Sequence, residues 1–167
     1  MNIACILQVH QVLHIYLHYT SALATLCNMK NDAQRYKTHC PINFGLETFG
    51  DRWSLLVIRD LMFKGKRYYS DFLRSDEKIS TNILADRLEK LEARELITKE
   101  VDANNRSKVI YSLTQKGLDL MPMLLEMIAW SAKYDPCTEA PQRFIKRLKE
   151  DKDSLIDELL FGLTQEA

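Results

Sequence analysis

The stretch KISTNILADRLEKLEARELITKEVDANNRSKVIYSLT, residues 78–114, changes its hydrophobic period halfway along. In its first half Ile83, Leu84, Leu88 and Leu91 recur at helical spacing, which predicts a helix over 80–95, capped by Ser80, with that apolar stripe turned inward. From Leu96 onward the pattern alternates as a strand does, which predicts strands at 97–102 and 108–113. Asn104, Asn105, Arg106 and Ser107 join them, and asparagine tolerates the positive φ that a tight hairpin turn requires. A half-polar helix running almost directly into a two-stranded ribbon with a basic tip leaves few topologies open.

The flanking sequence narrows them further. Pro41 suits a first helical position, and Ile42, Leu46 and Phe49 share one side before Gly50 stops the helix. Asp51 caps a second helix carrying Trp53, Leu56, Val57, Leu61 and Met62, which Gly65 ends. Arg67 to Tyr69 reads as extended, and Ser70 with Asp71 opens a short helix that carries Phe72 and Leu73. Thr114 caps a helix running to Tyr134 with a bend at Pro122. After a linker over 135–141 comes one final amphipathic helix, 142–163, with Phe144, Ile145, Leu148, Leu155, Ile156, Leu159 and Leu160 as its stripe. The order predicts a mainly α fold with a small β-wing (α+β), a winged helix-turn-helix.

With 167 residues, 46% of them apolar, the chain is long enough for one ordinary domain with a buried core. Lys plus Arg and Asp plus Glu both number 23, so net charge says nothing about partners; its distribution does. Residues 64–116 hold 12 basic and 9 acidic side chains, whereas 135–167 hold 5 and 8. The middle of the chain is therefore the part suited to a polyanion. Cys5, Cys27, Cys40 and Cys137 have neither paired nor metal-ligand spacing and read as reduced thiols of a cytoplasmic protein.

Residues 1–28 form an apolar leader without a single charged side chain. It lacks the positive start of a secretory signal, and Gln8, His10, Gln11, His14 and His18 interrupt it as a membrane span. His10, His14 and His18 share a helical face but have no acidic or thiol ligand beside them, so no metal is expected there. Met29, followed by a polar run, reads as the working start, with 1–28 an upstream extension outside the native chain.

Candidate contact residues follow from the winged helix. Ser80, Thr81, Asn82 and Ala85 face outward at the N-terminal end of the predicted recognition helix, with Arg87 beside them. Base edges in a major groove are read from such a position, and asparagine pairs bidentately with adenine. Asn105, Arg106 and Lys108 sit at the ribbon tip, able to reach a minor groove or phosphates. Lys66, Arg67 and Ser70 precede the helix-turn-helix as backbone-phosphate candidates. The blander alternative is that Ser80 only caps and that helix and turn are solvated surface. Asp86 and Glu89 repel phosphate and limit the strength of binding.

The runs Cys40-Pro41, GDRWSLLVIRDL (50–61), RYYSDF (67–72), Ile79-Ser80, LADRLEKLEARELI (84–97) and YSLTQKG (111–117) resemble the HxlR family of MarR-like winged-helix regulators of bacterial transcription. The resemblance implies that the Ser80 helix reads DNA and that the ribbon is the wing. It also implies a homodimer formed through the first helix and the helices after the wing. Residues 29–134 are then the winged-helix domain with its dimerisation helices, and 135–167 a linker and appended helix. Asn82 and Asp86 depart from the family, where Lys and a neutral residue are common, so base preference does not carry over. Some members sense oxidants or electrophiles at the matching Cys-Pro. Cys40, at a helix start near His39 and Lys37, sits where negative charge is favoured, which makes it a candidate redox switch; an inert thiol in the dimer helix is the alternative.

The function implied is a DNA-binding repressor that grips a pseudo-palindromic operator as a homodimer, switched at Cys40 or by a small ligand or electrophile. The competing reading is a protein-interaction module that retains the winged helix and binds through its C-terminal helix. No Ser-His-Asp order, HExxH, P-loop or glycine-rich dinucleotide loop is present, so neither an enzyme nor a cofactor is expected.

Overall fold

The computed structural model describes residues 38–165. The leader at 1–28, with its histidines, Cys5 and Cys27, and the start at Met29 lie outside the described residues. The chain divides into two units, 1–47 and 48–167, each taken by itself. In the first, helix α1 (Pro41–Phe49) begins at the proline, as its fixed φ favours. The Cys40 carbonyl accepts the first helical bond, from Phe44 N–H at 2.9 Å. The Asn43 amide donates to Glu47 one turn on, at 2.6 Å.

In the second unit α2 (Ser54–Phe63) has Trp53 at its N-cap position, without a side-chain cap, and Asp51 acts on the helix start from two residues further back. The Asp51 carboxylate accepts from the Trp53 and Ser54 amides at 2.8 and 3.0 Å. Next come α3 (Tyr69–Leu73), α4 (Thr81–Ala93), strands β1 (Ile97–Val101) and β2 (Val109–Leu113), α5 (Gln115–Leu118), α6 (Met121–Tyr134), α7 (Gln142–Glu150) and α8 (Lys152–Gln165). The strands pair antiparallel, with Ile97 opposite Leu113 and Val101 opposite Val109. Tyr68, read as extended, forms an isolated bridge to Ile110 rather than a strand. The Ile58, Leu61, Phe72, Leu84, Leu88, Leu91, Leu96 and Met121 side chains make one continuous buried cluster, so α2, α3, α4 and the root of the ribbon share a core.

Three expectations change. Ile83 stands outside the apolar stripe of α4 and is 38% exposed, because Leu84, Leu88 and Leu91 already complete the inward face. The helix expected over 115–134 divides into α5 and α6, and Pro122 sits in the first turn of α6, where its missing N–H costs nothing. The final helix likewise breaks at Asp151 into α7 and α8. The break lets Ile145 and Leu148 on one segment and Leu155 on the other all become buried.

Helix α4 ends where no glycine signals a stop. The Leu96 amide donates to Leu91 O at 3.0 Å and the Glu95 amide to Glu92 O at 2.8 Å, the bond pair of a Schellman turn. Glu95 supplies the left-handed residue, at φ 59°, and buried Leu96 packs back beside buried Leu91. That turn delivers the chain from helix to wing within three residues.

Candidate nucleic-acid interface

The N-terminal end of α4 is built to present polar side chains on a fixed backbone. Its opposite face, Leu84, Leu88 and Leu91, is buried, so Ser80, Thr81, Asn82 and Ala85 are left exposed together. Ser80 occupies the N-cap position, with extended backbone, but its side chain makes no capping bond, so the hydroxyl stays available. The Thr81 carbonyl accepts from the Tyr69 hydroxyl at 2.7 Å, tying α3 to the first turn of α4. Tyr69 positions this surface without lying on it, and the sequence marked it only as part of an extended RYY run.

Arg87 does not project from the helix. Its guanidinium bridges Asp51 at 3.0 Å and Asp86 at 2.5 Å, joining α4 to the cap of α2. Burial pushes the Asp51 carboxyl up, but the Ser54 hydroxyl, the Trp53 and Ser54 amides and Arg87 outweigh it and hold it below the usual range. Asp86 is held low too, by Lys90 at 2.9 Å and then by Arg87. Its negative charge is thus largely answered within the helix, while Glu89 stays exposed.

Lys66 and Arg67 also turn inward. The Lys66 ammonium donates to Asp60 at 2.7 Å and to Ser75 at 2.6 Å, and Arg67 donates to the Leu61 carbonyl at 2.7 Å. In the free protein both hold the segment between α2 and α3, and Arg87 likewise holds α4 to the cap of α2. Ser70 is exposed in the first turn of α3.

The ribbon tip is ordered by its own polar groups. The Asn105 side-chain oxygen accepts from the Ser107 amide at 3.1 Å and its hydroxyl at 2.7 Å, so Asn105 shapes the turn. Buried Asp102 accepts from the Asn104 amide at 2.8 Å and the Tyr68 hydroxyl at 2.9 Å, and these bonds keep its carboxyl below the ordinary range. The Lys108 ammonium lies 5.0 Å from the centre of the Tyr68 ring. Sequence reading missed this Tyr68–Asp102 lock, because an aspartate beside a turn reads as solvated. Arg106 is exposed and has no ion-pair partner among the described residues. Removing its single charge by Arg106→Ala is expected to weaken binding to all DNA and to lower the slope of log affinity against log salt by about one. An unchanged slope in a salt titration excludes the wing from the contact.

No helix of the described residues is long and apolar enough to cross a membrane, and no group of metal-ligating side chains occurs among them.

Comparison with known proteins agrees with this architecture. The transcriptional regulator YodB of Bacillus subtilis (strain 168) is 35% identical over 98 residues, which cover 58% of this chain and 87% of YodB. The redox regulator HypR in its reduced form superposes with a TM-score of 0.53 at 30% identity, over 61% of this chain and 100% of HypR. Its oxidized form gives 0.51 at 33% identity, over 56% and 96%. The profile of the HxlR-like helix-turn-helix family matches residues 48–139, the span that contains α2 to α6 and the wing. The chain belongs to this family of DNA-binding transcriptional regulators, which are not enzymes.

Proposed function

We propose that the chain is a bacterial repressor of transcription, acting in the cytoplasm, that grips a pseudo-palindromic operator as a homodimer. The observation that carries this reading is the division of α4 into a buried leucine face and an exposed Ser80, Thr81, Asn82 and Ala85 end. A major groove admits one helix, and the residues of its first turn reach the base edges. Ser70 and the wing residues Arg106 and Lys108 then meet flanking backbone, with Asn105 fixing the turn that carries them. Residues 29–134 serve as the DNA-binding and dimerising part, and 135–167 as an addition to it.

Support for the dimer comes from α6. Met127, Trp130 and Tyr134 are all exposed at helical spacing, with the Trp130 and Tyr134 rings 5.2 Å apart. Ile42 and Leu46 on α1 are exposed as well. A run of large apolar side chains facing solvent fits a self-complementary two-fold interface. Two-fold symmetry sets the half-sites about one helical turn apart. Cys40 is an exposed free thiol at the start of α1, and HypR is described as a redox regulator. Both support thiol modification, by an oxidant or electrophile, as the switch.

The test is fluorescence anisotropy of the reduced full chain on DNA from upstream of its own gene, against scrambled DNA, across a salt series. Salt-sensitive binding that prefers the native sequence is expected. Asn82→Ala should then lower discrimination at a single base position about tenfold; an equal loss on every sequence gives Asn82 a positioning role only. Absence of binding to either DNA at low salt overturns the reading and favours a winged-helix module that binds protein through its C-terminal helices.

A further inference from the structure

We propose that the open cleft between α2, the α3–α4 turn and the two C-terminal helices binds a small amphipathic cation, an apolar body carrying one basic amine. The cleft has a volume of about 660 Å³, well inside the range of small-molecule sites. Met62 and Phe63 of α2, Ile128 of α6, Phe144 of α7 and Leu159 of α8 supply its apolar lining. Phe144 and Leu159 lie beyond residues 48–139, so the cleft is completed by what this chain adds to the span the family shares.

The charged groups at the rim decide the ligand. Asp76, Glu77 and Glu139 face Arg59 and Lys64 there, three carboxylates against two cations. Arg59 is already taken up, donating to Asp60 and also to Glu77. Lys64 lies 3.7 Å from Asp76. Glu139 alone among the rim groups has no ion-pair partner among the described residues. An anionic ligand would add to the carboxylate excess, and a neutral one would gain nothing from Glu139, which is exposed and open to an incoming cation. An amine pairs with Glu139 while the apolar body covers Phe144 and Leu159.

The site also has a route to α4. Glu77, part of the rim, precedes the α4 N-cap by three residues and holds the turn to α2 through Arg59. An occupant wedged between that turn and the C-terminal helices therefore bears on the placement of Ser80 and Asn82. This regulatory consequence rests on the proposed role of α4 as recognition helix; ligand binding itself does not.

The experiment titrates the full chain calorimetrically with three isosteric probes: phenylbutylamine, phenylbutanol and phenylbutyrate. The amine is expected to bind about tenfold more tightly than the carboxylate, the size of one charge pair in a partly screened site. Glu139→Gln, an exposed loop change, should bring the amine and the alcohol to within about twofold of each other. Ala140→Phe, which fills the mouth of the cleft, should weaken both the amine and the alcohol. Equal affinity for all three probes, no binding at millimolar concentration, or an amine preference that survives Glu139→Gln overturns the proposal. The DNA salt series on the same preparation separates the two ideas. Lost ligand binding with intact DNA binding removes only the cleft, and the reverse removes only the regulator reading.

Discussion

Replacing Asp60 with alanine is expected to cost about 3–5 kcal/mol of folding stability, because it strips the shared partner from a buried ionic cluster. Asp60 is 2% exposed on α2. Its carboxylate accepts from Lys66 at 2.7 Å, from the Ser75 hydroxyl at 2.6 Å and from Arg59 at 2.6 and 2.9 Å. Arg59 reaches on to Glu77, so the cluster fastens α2 to the segment before α3 and to the turn before α4. Without Asp60 the Lys66 ammonium, only 16% exposed, keeps its desolvation cost and loses its counter-charge. Urea unfolding monitored by circular dichroism measures the loss, and a change below about 1 kcal/mol would refute it. Adding Lys66→Met to Asp60→Ala should recover part of the stability, since it removes the stranded charge instead of leaving it buried.

The same cluster sets the acid limit of the fold. Burial raises the Asp60 carboxyl, but Lys66, Ser75 and Arg59 together bring it below the ordinary range. Glu77, hydrogen-bonded by Arg59, falls from the usual 4.5 to about 2. Both carboxyls take up protons more readily in the unfolded chain, so their stabilisation is complete above about pH 4.5 and drains away as pH falls toward about 2. Unfolding midpoints taken through that window should drop steeply in the parent chain and less so in Asp60→Ala.

What the sequence could convey depended on how local the cause was. The Asp51 carboxylate and the Thr114 hydroxyl accept from amides two or three residues on, and Pro41 starts its helix through its own fixed φ, so each helix start is legible from its neighbours. The end of α4 is not, because Glu95 adopts a left-handed conformation that glycine or asparagine would ordinarily advertise. It does so because buried Leu96 must reach back beside Leu91. The site divides the same way. Exposure of Ser80, Thr81, Asn82 and Ala85 follows from helical period alone. The fates of Lys66 and Arg87 hang on Asp60, Ser75 and Asp51, partners six to thirty-six positions away. A basic residue beside a helix-turn-helix carries no mark in the sequence of the carboxylate it pairs with in the fold. The break at Asp151 belongs to this second kind, because no glycine or proline marks it and only the common core requires it.

Gly117 provides the second large effect, and its sign is opposite to the usual one for a helical glycine. In an open helix Gly→Ala gains about 0.5–1 kcal/mol by restricting the unfolded chain. A Cβ on Gly117 would lie 2.2 Å from the Leu96 carbonyl oxygen and 3.0 Å from Leu113 Cδ2. The oxygen cannot yield, since it accepts from the Thr114 amide at 3.1 Å while the Leu96 amide is held by Leu91 O at 3.0 Å. The Thr114 hydroxyl, bonded to Glu95 O at 2.6 Å, ties the same junction a third time. Gly117→Ala must therefore push α5 off the root of the wing, and the expected loss is about 3 kcal/mol, the upper end of overpacking in a rigid site. Gly162 on α8 is the internal control, with nothing within 4 Å of its added Cβ. Gly162→Ala should stabilise the chain by about 0.5–1 kcal/mol in the same urea titration. If Gly117→Ala instead follows Gly162→Ala upward, the contact between α5 and the Leu96 carbonyl is not holding the wing to the body of the fold.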